Sequence, residues 1–166
     1  TTWPGGSGTI SYGGLAAPVS PNAVSLAVPP SGARYTTYFR TAFSSETAVT
    51  LPLRIKLYCD DAAIVYINGV ERGRLLINTS AAFATAPDAF TLLSGTPGQA
   101  DTDEAILRNL DLPSVPLLAG SNVLAISLHN STATSSDLGL RLESLEARII
   151  SDPVPVRLTV TQIPQP

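Results

Sequence analysis

An all-β sandwich is the fold class this sequence predicts, and three observations carry the prediction. Strand-like segments with alternating apolar and polar residues follow one another from Tyr35 to Ile149, each bounded by turn formers. Fourteen prolines and twelve glycines in 166 residues demand many turns and short elements. No stretch keeps a helical apolar period for more than a turn or two. The length suits one domain, which at this size buries about two thirds of its unfolded surface.

Thr1 to Ala33 contains no charged residue and holds five prolines and six glycines. Helix is excluded there, because proline lacks an N–H and glycine loses too much entropy. Trp3, Tyr12, Leu15, Val24 and Leu26 make the segment too apolar for a solvated linker, so it reads as extended chain wrapped on a core. Tyr35 to Phe43 then alternates, with Tyr35, Thr37, Phe39 and Phe43 on one face and Tyr38 and Arg40 on the other. Val49 to Tyr58 alternates more cleanly: Val49, Leu51, Leu53, Ile55 and Leu57 point inward. Pro52 marks an edge or an irregular start. Ala62 to Ile67 is apolar on both faces and reads as a central strand. Asn68-Gly69 follows, a strong hairpin signal, and Val70 to Ile77 returns with Gly73 as a bulge.

Asn78 to Ala100 is a long polar stretch, tethered by Phe83, Phe90, Leu92 and Leu93. Ala105 to Leu112 resumes as strand, Pro113 to Gly120 reads as a turn-rich connection, and Asn122 to His129 is strand again. Asn130 to Ser136 is a polar loop, and Leu138 to Ile149 a long strand or strand pair. One more short strand is expected within Val156 to Val160. The domain therefore spans residues 1–150, and residues 151–166 form a proline-rich linker or a short extra strand.

Composition narrows the function. Ten Lys+Arg against thirteen Asp+Glu leave a net charge of −3, which argues against a nucleic-acid or anionic-membrane partner. No apolar run approaches the ~20 residues of a membrane-spanning helix. A single cysteine excludes an intrachain disulfide and any CxxC metal site. The chain has no methionine, so Thr1 is not a translation start, and the expectation is a piece of a longer protein.

Four segments resemble one family. Tyr35-Thr-Thr-Tyr-Phe-Arg40-Thr-Ala-Phe43 resembles the early strand of galactose-binding-like jelly-roll domains. Asp60-Asp61-Ala-Ala-Ile-Val-Tyr66-Ile-Asn68-Gly69 resembles their central hairpin. Gly120-Ser-Asn122-Val-Leu-Ala-Ile-Ser-Leu-His129 resembles the strand that follows, and Ser135-Ser136-Asp137-Leu138 the start of a late one. Trp3 with Tyr12-Gly13 resembles the opening of a bacterial subgroup, so the likeness runs over about residues 3 to 146. It implies a jelly-roll β-sandwich, of the kind appended to secreted bacterial glycosidases and metallophosphatases. It further implies a non-catalytic accessory module of a secreted or cell-surface multidomain protein, carbohydrate-binding, with a glycan and neighbouring domains of the same polypeptide as partners. The alternative is a purely structural or adhesive spacer that positions a catalytic neighbour.

The chemistry-bearing residues are few. His129, the only histidine, ends a strand beside a Ser/Thr-rich loop; it reads as a rim histidine bonded to that loop, not as a catalytic base. Cys59 shares the parity of Ile55 and Leu57 and should face the core. Of Asp60 and Asp61, one is expected to cap the turn through backbone N–H groups and the other to pair with Arg40 or Arg54. Asp101 and Asp103, in an acidic loop with Glu104, are the candidate ligands of a structural calcium ion, against the reading of a solvated turn. Trp3, Tyr12 and Tyr66 are the candidates for a sugar platform, against the reading that they cover the core's edge.

Overall fold

A computed structural model describes residues 8–14, 24–76, 106–148 and 159–161, the last for its backbone alone. The elements are β1 (Ile10–Tyr12), β2 (Val24–Ser25), β3 (Thr36–Ser45), β4 (Val49–Asp60), β5 (Ala62–Ile67), β6 (Val70–Leu75), β7 (Arg108–Leu117), β8 (Gly120–His129), β9 (Leu138–Ala147) and β10 (Thr159–Thr161). There is no helix among the described residues. Two five-stranded sheets form, in the orders β2-β1-β9-β4-β7 and β10-β3-β8-β5-β6. From β3 onward, every connection but the β5–β6 hairpin carries the chain from one sheet to the other, which is the winding of a jelly-roll β-sandwich.

Side-chain parity explains the core. On β4, Leu53, Ile55, Leu57 and Cys59 are buried while Arg54, Lys56 and Tyr58 are not. Leu124, Ile126 and Leu128 of β8 meet them from the opposite sheet, with Ala63, Val65 and Ile67 of β5. β5 is buried on both faces: Ala62 and Ile64 form a second small cluster on its outer side, with Tyr66 and Leu76 packed against it. The β5–β6 hairpin turns at Asn68-Gly69, both at positive φ (52° and 79°), as a type I′ turn requires. The β5–β6 register slips between Val65 and Tyr66, opposite Gly73 and Glu71. Gly73 faces inward there, and a Cβ on it would meet Leu112 Cδ2 at 3.0 Å, so β6 lies close against β7.

Three sequence expectations change. Pro113 to Leu117 belongs to β7 and is not a turn-rich connection; the turn proper is Leu118 and Ala119. Proline is tolerated because β7 is an edge strand, where a missing N–H leaves no neighbour unbonded. Of the two readings of Pro52, the irregular start holds and the edge does not: β4 runs between β9 and β7, and the ladder to β7 shifts register between Leu51 and Leu53. Arg54 pairs with neither Asp60 nor Asp61. Its Nε donates to Asp111 Oδ1 at 2.7 Å, and Asp61 Oδ2 accepts from the Ser131 backbone N–H at 2.5 Å. The short late strand lies at Thr159–Thr161, antiparallel to Ala42–Ser44 of β3.

Cys59 is 3% exposed, and burial pushes its thiol up to about 12, with nearby Arg108 offsetting part of the rise. A raised folded value means the neutral thiol stabilises the fold fully below the ordinary value of 9.0, and less as pH climbs from there towards 12. A thiol reagent in mildly alkaline buffer should therefore leave the native protein unlabelled until denaturant is added. Rapid native-state labelling would contradict the inward placement of β4's odd-numbered residues.

Candidate functional site

The two outer faces of the sandwich differ in kind. On the first sheet, outward side chains neutralise one another. Asp111 of β7 accepts from Arg54 of β4 and, at 2.9 Å, from Arg148 just beyond β9. Lys56 pairs with Glu146 at 2.9 Å, and Arg141 with Glu143 at 2.5 Å while its guanidinium lies 6.0 Å from the Tyr58 ring centre. The Arg54 guanidinium holds the Asp111 carboxyl below its usual range, and Lys56 does the same for Glu146. Exposed pairs of this sort contribute little stability. They do leave a solvated surface whose charges already have partners.

The outer face of the second sheet carries two tyrosines, Tyr38 and Tyr66, beside Arg40 and the Glu71–Arg74 ion pair. β8 lies at its centre and presents Val123, Ala125, Ser127 and His129 outward, since Leu124, Ile126 and Leu128 are in the core. β3 flanks it on one side: Tyr38 stands opposite Ser127 and Arg40 opposite Ala125. β5 flanks it on the other: Ile64 stands opposite Ser127 and Tyr66 opposite Ala125. Next to Tyr66, β6 places Glu71, whose carboxylate is held by Arg74 at 2.7 Å. At Ala125 and Ser127 the central strand's small side chains lie between the larger Arg40, Tyr38, Tyr66 and Ile64 of its neighbours, which makes a trough there. Its walls are two interstrand spacings apart, about 9.6 Å between backbones. Tyr38 is 40% exposed and Tyr66 is half-buried.

The end of the sandwich beyond His129 is a polar network. His129 is fully buried, with Nδ1 bonded to Thr36 Oγ1 at 3.1 Å and Nε2 to Ser127 Oγ at 2.9 Å. It is thus clamped between hydroxyls on two strands of its own sheet, and is not a rim residue bonded to the following loop. Asn130 Nδ2 donates to the Tyr12 hydroxyl and to the Arg34 backbone carbonyl, both at 2.8 Å. Arg34 in turn donates to the carbonyls of Pro29 at 2.9 Å and Ser135 at 2.6 Å, joining the segment before β3 to the β8–β9 loop. Tyr12 is 3% exposed, and burial raises its phenol.

These positions sort the residues singled out from sequence. Tyr66 stands on the trough wall. Tyr12 lies on β1 in the core, not in an exposed loop, so its ring has no face to offer a sugar. Trp3, Asp101 and Asp103 lie outside the described residues. No group of three or more metal-ligating side chains occurs among the described residues.

No known family model and no curated protein matches this chain. Among solved structures it is similar to one described as the structure of a family 35 carbohydrate binding module from an environmental isolate. The identity is 12%, the match covers 72% of this chain and 75% of that one, and the TM-score is 0.34.

Sequence reasoning placed Tyr38, with Tyr58 and Tyr66, on the less apolar faces of their strands, but singled out neither Tyr38 nor Arg40. The alternation of Tyr35 to Phe43 had put both on the outward face of their strand. What it lacked was the neighbour: only the β3–β8 register sets them beside the small side chains of Ala125 and Ser127.

Proposed function

We propose that this chain is a non-catalytic carbohydrate-binding module, an accessory domain of a secreted multidomain protein, and that its glycan lies in the trough over β8. The observation that carries the reading is the exposed Tyr38 ring beside Ala125 and Ser127, with Arg40 and Tyr66 on facing walls. A sugar presents an apolar face of C–H groups, which stacks on an aromatic ring, and a rim of hydroxyls, which a guanidinium can donate to. The burial of His129 and the high pKa of Cys59 support a binding role, since neither side chain is placed to act on a substrate.

An open, shallow face buries little of a sugar, so the expected affinity is weak, on the order of 10 μM to 1 mM. A glycan array and affinity electrophoresis in polysaccharide gels test the reading. Tyr38→Ala should weaken binding about tenfold or more, about 1.4 kcal/mol, with an unchanged melting temperature. Silence of the native protein on every glycan would move the chain to the spacer reading. Undiminished binding by Tyr38→Ala would take the site away from this face.

A further inference from the structure

Asn68-Gly69 is the one Asn-Gly step in the sequence, and such a step carries chemistry of its own. The backbone nitrogen after an asparagine can attack the side-chain Cγ, and a glycine there leaves that nitrogen uncrowded. The turn is open to water: Gly69 is exposed, and no described atom lies within 4 Å of where a Cβ on it would stand. The Asn68 amide, however, is held against β8. Its Oδ1 accepts from the Val123 N–H at 2.9 Å, and its Nδ2 donates to Asn122 Oδ1 at 2.8 Å. Asn122 is 1% exposed and its amide cannot turn over to suit a different neighbour. Its Oδ1 also accepts from the Leu118 N–H, and its Nδ2 donates to the carbonyls of Leu118 and Gly120.

We propose that Asn68 is a self-modification site, closed while its amide is tied to β8 and open when the tie breaks. The reaction is deamidation. The Gly69 nitrogen gives its proton to hydroxide and attacks Asn68 Cγ. The new C–N bond closes a succinimide ring, and the Cγ–Nδ2 bond breaks as the departing amide takes a proton from water and leaves as ammonia. Water then opens the ring at either carbonyl, leaving aspartate or isoaspartate. The tie blocks the first step, because it anchors both polar atoms on Cγ to β8 and away from the Gly69 nitrogen. The product cannot restore the tie. A carboxylate only accepts hydrogen bonds, so an aspartate at this position sets oxygen against Asn122 Oδ1, which the other bonds of Asn122 hold in place. Isoaspartate routes the backbone through the side chain and adds a methylene to a two-residue turn, so Ile67 and Val70 no longer meet in register. Conversion is thus a one-way release of the hairpin tip from β8, while the ladder from Ala62 to Ile67 keeps β5 in the sheet.

The test incubates the whole chain in mildly alkaline buffer, folded and unfolded in urea, and follows the tryptic peptide Leu57–Arg72 by chromatography and mass spectrometry. Asn68 is the only amide side chain in that peptide, so a mass rise there reports this site. Conversion in the folded chain should be at least about tenfold slower than in the unfolded one, because it waits on local opening. Asn122→Ala, shown to be folded by circular dichroism, should convert at least about tenfold faster than the native chain, for the same reason. Asn68→Asp, which makes one product directly, should melt below the native protein and lose hydrogen-exchange protection at the Val123 N–H. Equal rates in the folded and unfolded chain would overturn the proposal, as would a folded Asn122→Ala that converts no faster than the native protein. Native melting and full Val123 protection in Asn68→Asp would overturn the release. Should Asn122→Ala not fold, the folded-against-unfolded rates and Asn68→Asp still decide.

Discussion

Asn122→Ala should lower the melting temperature by roughly 6–15 °C, the signature of about 3–4 kcal/mol in a domain of this size. Asn122 is 1% exposed and uses its whole side chain. Its Oδ1 accepts from Asn68 Nδ2 at 2.8 Å and from the Leu118 backbone N–H at 2.9 Å. Its Nδ2 donates to the carbonyls of Leu118 at 3.0 Å and Gly120 at 3.1 Å. Asn68 completes the link: its Oδ1 accepts from the Val123 N–H, and its own N–H donates to the Val123 carbonyl, both at 2.9 Å. One amide therefore holds the β7–β8 turn and ties the β5–β6 hairpin to β8. Truncation strands four polar groups at once, and each buried orphan costs about 1–3 kcal/mol where water cannot reach it. Scanning calorimetry of the variant is the check. A fall of less than about 2 °C would mean that water satisfies the stranded groups and that the tie is dispensable.

Leu57→Ala should be comparably damaging, by about 2–5 kcal/mol. Leu57 is fully buried on β4, paired with Arg108 of β7 on one side and Leu142 of β9 on the other. A strand bonded on both edges cannot shift to fill the cavity without disturbing two ladders, so the lost contacts stay lost. Leu107→Ala is the internal control, because Leu107 is 40% exposed and its truncation should change stability by less than about 0.5 kcal/mol. Urea denaturation of the two variants side by side gives the difference. Equal midpoints would place Leu57 outside the core and break the alternation argument for β4.

Much of this architecture was legible because a strand has a period of two and a half-buried strand must show it. Val49 to Cys59, Leu124 to Leu128 and the doubly apolar Ala62 to Ile67 all declared their buried faces, and Asn68-Gly69 declared its turn. The misreadings have physical causes as well. Pro113 and Pro116 look like strand breakers, yet an edge strand has one side with no ladder to break. Tyr12, in a glycine-rich opening, left a sugar platform and a cover for the core open; β1 pairs with β9 and carries the ring inward to the Asn130 amide, which decides for the core. His129 was rightly placed on the outward parity of β8, but parity says nothing of what lies over a face.

The sequence by itself determined the fold class, the buried faces of β4 and β8, the position of the hairpin and the inward placement of Cys59. Each depends on residues within about ten positions of one another, where periodicity and turn chemistry act directly. The candidate site was decided only by the tertiary structure. Tyr38, Tyr66 and Ala125 lie far apart in the chain, and register alone sets them side by side. The ion pairs of the first sheet's outer face are likewise a property of strand order, as when Asp111 meets Arg54 across the β4–β7 ladder.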